Sequence, residues 1–161
     1  MIQQDSPLWQ YLSSDQRQLD MDGQLLITDR MKHPNEHVSD YSYVVFPFAK
    51  LYEGFLKQLF KDIGAITERD YQSDHFRIGK ALSPNLARLL GPRSVYAWIA
   101  RRYSSELAIS LWTTWREGRN LIFHYFPHNI RRLTWTEAQQ TVTTIVHAME
   151  DAVTVTHVER H

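Results

Sequence analysis

YSYVVFPFAKLYEGFLKQLFKDIG, residues 41–64, is the stretch that decides the fold. Phe48, Leu51, Tyr52, Phe55, Leu56, Leu59, Phe60 and Ile63 recur at spacings of three and four. That period lays an apolar stripe along one face of an α-helix, wide enough to face a core. Lys50, Glu53, Lys57 and Lys61 fall on the opposite, polar stripe. A Glu53–Lys57 pair at i,i+4 is ordinary helix support there. Pro47 has no backbone donor and is expected to kink the helix or mark its true start. Gly64 supplies the stop.

Upstream, residues 1–40 form a polar segment with one helix expected over Asp15–Met31, weakened by Gly23. KHPNEHVSD then reads as a loop, with Ser39 or Asp40 as the next N-cap. Downstream, 65–84 reads as connection, with Gly79 and Pro84 as breakers and a short helix over Pro84–Leu90. Ser94 can cap VYAWIARRYSSELAISLWTTWREG, where Tyr96, Ile99, Tyr103, Leu107, Leu111, Trp112 and Trp115 support helix in one piece or two. Gly118 is a kink or boundary before RNLIFHYF, expected helical until Pro127. Thr134 or Thr136 caps a last helix in which Ala138, Val142, Ile145 and Met149 repeat, with Ala152 or Val153 next. TVTHV, near the end, is the one candidate strand. Helices are thus expected over 42–63, 94–117, 119–126 and 135–152, and the economical arrangement is an all-α antiparallel helical bundle over 41–155. With the N-terminal segment it makes one domain.

Composition narrows function. The 161 residues are 43% hydrophobic and 22% charged with zero formal net charge, so any hold on nucleic acid must come from a local patch. With no cysteine, disulfides and thiolate metal sites are excluded. There is no signal-peptide pattern at the N-terminus and no membrane-length apolar run, and a reducing cytoplasm is the expected compartment. His33, His37 and His75 fall in expected loops without ligand spacing, and His147 lies in the last helix. Neither a phosphate-binding glycine loop nor a serine elbow is present, so no metal or cofactor is expected. The five tryptophans read as core or interface.

One stretch asks for a chemical explanation. WREGRNLIFHYFP, residues 115–127, keeps Arg119, Asn120 and His124 in an otherwise largely apolar run. Read as helix, it puts Asn120 and His124 on one face, with Arg119 roughly 140° round from His124. Histidine moves protons near neutral pH, and arginine offers a permanently charged fork to phosphate oxygens. The 2′-hydroxyl of RNA is a built-in nucleophile, so such a pair suits cleavage without a metal, to a 2′,3′-cyclic phosphate and a 5′-hydroxyl. The plain alternative is a solvated face beside Glu117, and an Arg–His pair at this spacing is common by chance. Arg116, His128, Arg131 and Arg132 flank the stretch, and Tyr125 and Phe126 offer rings to bases, the mixture that suits single-stranded RNA.

RNLIFH resembles the Arg–polar–x–x–x–His motif of RNA-cleaving HEPN domains. Together with DYSYVVFPFAKLYEGFLKQLF, FRIGKAL and the closing amphipathic helix, EGRNLIFHYFP is similar to the ribonuclease LS-type (RnlA/LsoA) toxins over roughly residues 40–150. The resemblance implies a HEPN bundle, metal-independent endoribonuclease activity of toxin–antitoxin or phage-defence type, and a homodimer whose two motifs face each other. It also implies a protein antitoxin. Arg119 and His124 match the motif, with Asn120 in its polar slot. Glu53 and Lys50 stand where that family places an acidic residue near the site and a basic one a turn earlier; lysine here holds phosphate as a point charge. Those toxins are longer, so the chain reads as a minimal version, a standalone relative or an excised domain. Against catalysis stands a helical module of the same fold that binds RNA, nucleotide or a protein partner without cleaving. A purely structural dimerisation domain is the third possibility.

Overall fold

The structure is a computed structural model that describes residues 1–125 and 127–159. Phe126, expected as a stacking surface and as the end of the 119–126 helix, lies outside the described residues. The fold is an all-α helical bundle, with no strand among the described residues.

The 41–64 stretch forms the central helix. It is α3, Ser42–Asp62, counting α1 as Pro7–Tyr11 and α2 as Ser14–Lys32. Its stripe is buried as the spacing requires, with Phe48, Leu51, Tyr52, Phe55, Leu56, Leu59 and Phe60 all fully covered. Each such side chain contributes roughly 1.5–3 kcal/mol of burial. α3 neither starts nor stops at Pro47. The carbonyl that Pro47 leaves without its donor belongs to Tyr43, a surface residue 40% exposed, so the ring is tolerated. Gly64 closes the helix as expected: at φ +78° its N–H donates to Lys61 O (2.9 Å) while Ala65 N–H donates to Phe60 O (2.8 Å). This is a Schellman closure.

α2 packs along α3, and Gly23 is the point of contact rather than a weak point. A Cβ there would lie 2.3 Å from the Phe48 ring. α1 has no counterpart among the expected helices. Ser6 caps it, and its Leu8 and Tyr11 are buried, Tyr11 donating to Asp62 at 2.6 Å. Neither of the two caps expected for α3 takes that place: Tyr41 is the N-cap and makes no side-chain cap bond, while Asp40 just before it accepts at Oδ1 from Ser42 N–H (2.9 Å) and from Leu133 N–H (3.1 Å).

The 65–84 connection holds two short helices, α4 (Glu68–Gln72) and α5 (Ile78–Ala81). Gly79 lies inside α5 instead of breaking it, because its bare backbone admits the Trp115 ring; a Cβ would be 2.1 Å from that ring. Pro84 opens a 3₁₀ turn into α6, Ala87–Leu90. Ser94 caps α7 (Val95–Arg102) and Ser104 caps α8 (Ser105–Trp115), the two-piece form of that segment.

The last helix, α9 (Trp135–Thr156), begins with a reciprocal cap between Thr134 and Glu137. It packs on α3, α8 and α1. It also absorbs most of the expected TVTHV strand. The hydroxyls of Thr154 and Thr156 donate back to Glu150 O (2.9 Å) and Ala152 O (2.6 Å), so their polar groups are satisfied within the helix. Among the described residues no helix is long and apolar enough to cross a membrane.

Candidate functional site

The helix expected over 119–126 does not form. After Trp115 the chain makes a π-turn over Arg116–Asn120, closed by Leu121 N–H to Arg116 O at 2.9 Å, and then runs as turn and bend through His124. A π-turn holds one residue more than an α-turn, so it shifts the phase of the residues after it by roughly 100°. Those apolar residues no longer continue the buried face of α8. Gly118 sets the geometry: it is buried, and a Cβ on it would lie 3.1 Å from the Ile145 side chain of α9. Asn120 and His124 therefore do not share a helix face.

The π-turn carries Arg119 to α3. Its Nε donates to Glu53 Oε2 at 3.0 Å, joining positions 66 apart in sequence, with the side chains 36% and 41% exposed. Glu53 thus pairs with Arg119 and not with Lys57. The Lys57 ammonium instead donates to Ser73 O (3.5 Å) and sits 5.6 Å over the Tyr71 ring. Behind Glu53, the buried Tyr52 hydroxyl donates to Leu111 O at 3.1 Å and ties α3 to α8. Burial pushes that phenol far above its ordinary pKa, so it acts as a structural donor.

Glu53, Arg119 and Asn120 line an open cleft of about 650 Å³, walled also by Arg77, Lys80 and the half-buried Trp112. Lys50 lies exposed on an adjoining groove of about 400 Å³ that shares Glu53 with the cleft. These residues the structure brings together.

The remaining candidates lie apart. His124 and Tyr125 are exposed beyond the π-turn, Tyr125 at 78%, and neither lines the cleft. Phe123, just before them, meets Phe46 edge-on with centroids 5.6 Å apart. His128 is exposed with a left-handed backbone, φ 61°. Arg116 pairs with its neighbour Glu117 at 2.7 Å on the surface, and Arg131 and Arg132 are exposed. Arg132 lines a separate hollow of about 230 Å³ with His37 and Trp135.

Arg77 and Lys80 were missed in the sequence. Their three-residue spacing in FRIGKAL was the available signal, hidden because 65–84 read as plain connection. Among the described residues no group of three or more His, Asp or Glu is placed to hold a metal ion. No protein-family model, curated protein or solved structure matches the chain.

Proposed function

We propose that the chain is a metal-independent endoribonuclease of toxin–antitoxin or phage-defence type, built on a HEPN-like bundle. One observation carries the reading. The arginine of the RNLIFH motif pairs with the single acid of the α3 polar stripe, and the pair lies on the wall of an open cleft.

In this reading the 2′-oxygen attacks phosphorus as the bond to the 5′-oxygen breaks. One proton leaves the 2′-hydroxyl and one reaches the departing 5′-oxygen, giving a 2′,3′-cyclic phosphate and a 5′-hydroxyl. His124 transfers protons. Arg119 neutralises the charge that grows on the phosphorane. With its Nε–H held by Glu53, it keeps its two Nη groups for phosphate oxygens. Asn120 adds a polar contact, Lys50 a point charge, and Arg116, Tyr125, His128, Arg131 and Arg132 hold the strand. His124 stands outside the cleft that Arg119 lines. A homodimer with the two motifs across a two-fold axis completes the set at no cost in sequence, and a protein antitoxin would cover the same face.

That position of His124 is also what favours the second reading, a helical module that binds RNA, nucleotide or a protein partner without cleaving. The two separate cleanly. Purified protein is incubated with single-stranded RNA plus EDTA, and the fragment ends are analysed. Cyclic-phosphate and 5′-hydroxyl ends, with activity reduced ~10²–10⁴-fold in His124→Ala and only partly restored when Arg119→Lys replaces Arg119→Ala, support the nuclease. Full activity in His124→Ala ends it.

A further inference from the structure

The connection between α3 and α7 carries cations that the proposed cleavage step does not use. Phe76, Arg77 and Lys80 line the Glu53–Arg119 cleft from one side. The same three residues line a second hollow of about 470 Å³, whose lining also includes Arg93. The two hollows therefore share a ridge, and the ridge bears two exposed cations and a half-buried aromatic ring.

The charge balance along this path is positive. Asp70 is the acid of the second hollow, and its carboxylate is taken up by the N-terminus of α4: Oδ2 accepts from Thr67 N–H (3.1 Å) and from its hydroxyl (2.7 Å). Those bonds hold its carboxyl below the usual range, so it stays ionised and counts as one anion against the three cations Arg77, Lys80 and Arg93. Glu53 is paired with Arg119. The Arg77 guanidinium donates to the carbonyls of Asp74 and Phe76, which fixes its stem while leaving its charge unneutralised. Arg77, Lys80 and Arg93 are thus three cations strung from the cleft outward, on a chain whose net charge is zero.

We infer that this ridge is the track for the substrate strand: phosphates on one side of the scissile bond lie across Arg77, Lys80 and Arg93, and Phe76 stacks on a base between them. Spaced cations with an interleaved aromatic are what a single strand needs, since its bases are free to stack while its backbone follows the charge. A duplex offers no base faces to Phe76. The inference rests on the ribonuclease reading only for where the cut falls; the binding it asserts is measurable without cleavage.

The probe is a short fluorescent 2′-O-methyl RNA strand, which lacks the attacking hydroxyl. Its anisotropy is titrated across a salt series with wild type, with the triple variant Arg77→Ala/Lys80→Ala/Arg93→Ala, and with a control that removes Lys32, Arg101 and Arg102. Each phosphate contact contributes about 0.7 to the salt slope for a single strand, so the triple variant should lower the slope by about 2. Its affinity at low salt should fall on the order of tenfold or more, and the control should stay near wild type. Equal losses in triple variant and control, or a matched duplex binding as tightly as the strand, would overturn the track. If His124→Ala loses cleavage while the triple variant binds like wild type, the track falls and the nuclease stands. If the wild type does not cleave but the triple variant alone loses binding, the nuclease falls and the track stands. Unchanged melting temperatures, expected for three surface side chains, tie any loss to contact and not to folding.

Discussion

Replacing Glu53 by glutamine keeps the length of the side chain and one acceptor oxygen, and removes only the charge that faces Arg119. The two groups are 36% and 41% exposed, so water screens their attraction. Such a pair contributes roughly 0.2–1 kcal/mol to folding, a melting shift of about 2–4 °C at most for a chain of this size. Cleavage, in the proposed reading, is far more sensitive. Arg119 is steered by one bond through Nε, and a misplacement of about 1 Å in a charge-stabilising group costs ~10²-fold. Glu53→Gln should therefore cut cleavage by roughly 10- to 100-fold with almost no change in stability. Because Glu53 acts through Arg119, Glu53→Gln/Arg119→Ala should be no slower than Arg119→Ala alone, a fully non-additive cycle. Single-turnover cleavage and urea denaturation of the four proteins measure both sides. Losses that simply multiply would refute the positioning role, as would full activity in Glu53→Gln. A stability loss above ~2 kcal/mol would make the pair a folding element instead.

Alanine at two helix glycines should act with opposite sign. Gly23→Ala should destabilise by up to ~2 kcal/mol, because overpacking against the buried Phe48 ring outweighs the gain in helix propensity. Gly54→Ala meets only the end of Gln16, at 3.4 Å, and should stabilise by roughly 0.5–1 kcal/mol; urea midpoints moving the same way in both would contradict this. Burial raises the Asp20 carboxyl above its ordinary value, so the folded state favours its protonated form. That stability is fully present below the unfolded pKa and is lost as pH rises through the folded one. Asp20→Asn should thus gain on wild type near neutral pH and lose that gain on acidification, and a pH-independent melting difference would refute it. The catalytic reading also requires a homodimer by light scattering, and a monomer that still cleaves RNA would end the two-fold arrangement.

The bundle was legible because its decisive helix carries a long, regular stripe: eleven buried residues on α3 leave little choice of partner face. Caps were legible where side-chain chemistry alone decides them, as at Ser94 and Thr134. Two glycines misled. Gly23 looked like a weak point and Gly79 like a break, yet each marks where a large ring presses on a helix, a tertiary fact that single-residue propensity does not hold. Arg119, Glu53 and Asn120 were found by motif and stripe and do meet at one cleft. The course of the chain after Gly118 was not legible. An extra residue in one turn is invisible to a period count, and it redirects the chain from Leu121 through Tyr125. Arg77 and Lys80 escaped because cations in a connection look solvated until the fold sets them beside a cleft.

The stretch after the π-turn is fastened at both ends. Gly118 seats its start against Ile145, and at its close Leu133 N–H donates to Asp40 while Leu133 O accepts from Tyr41 N–H at 2.9 Å. Two posts in the bundle thus hold a replaceable span, and lengthening a span between fixed posts costs only about 0.6 kcal/mol per doubling. A change of length between those posts should therefore cost the helices beneath little. A library of grafted loops between those posts would let selection retune what the protein recognises while its core and its Glu53–Arg119 pair stay as they are.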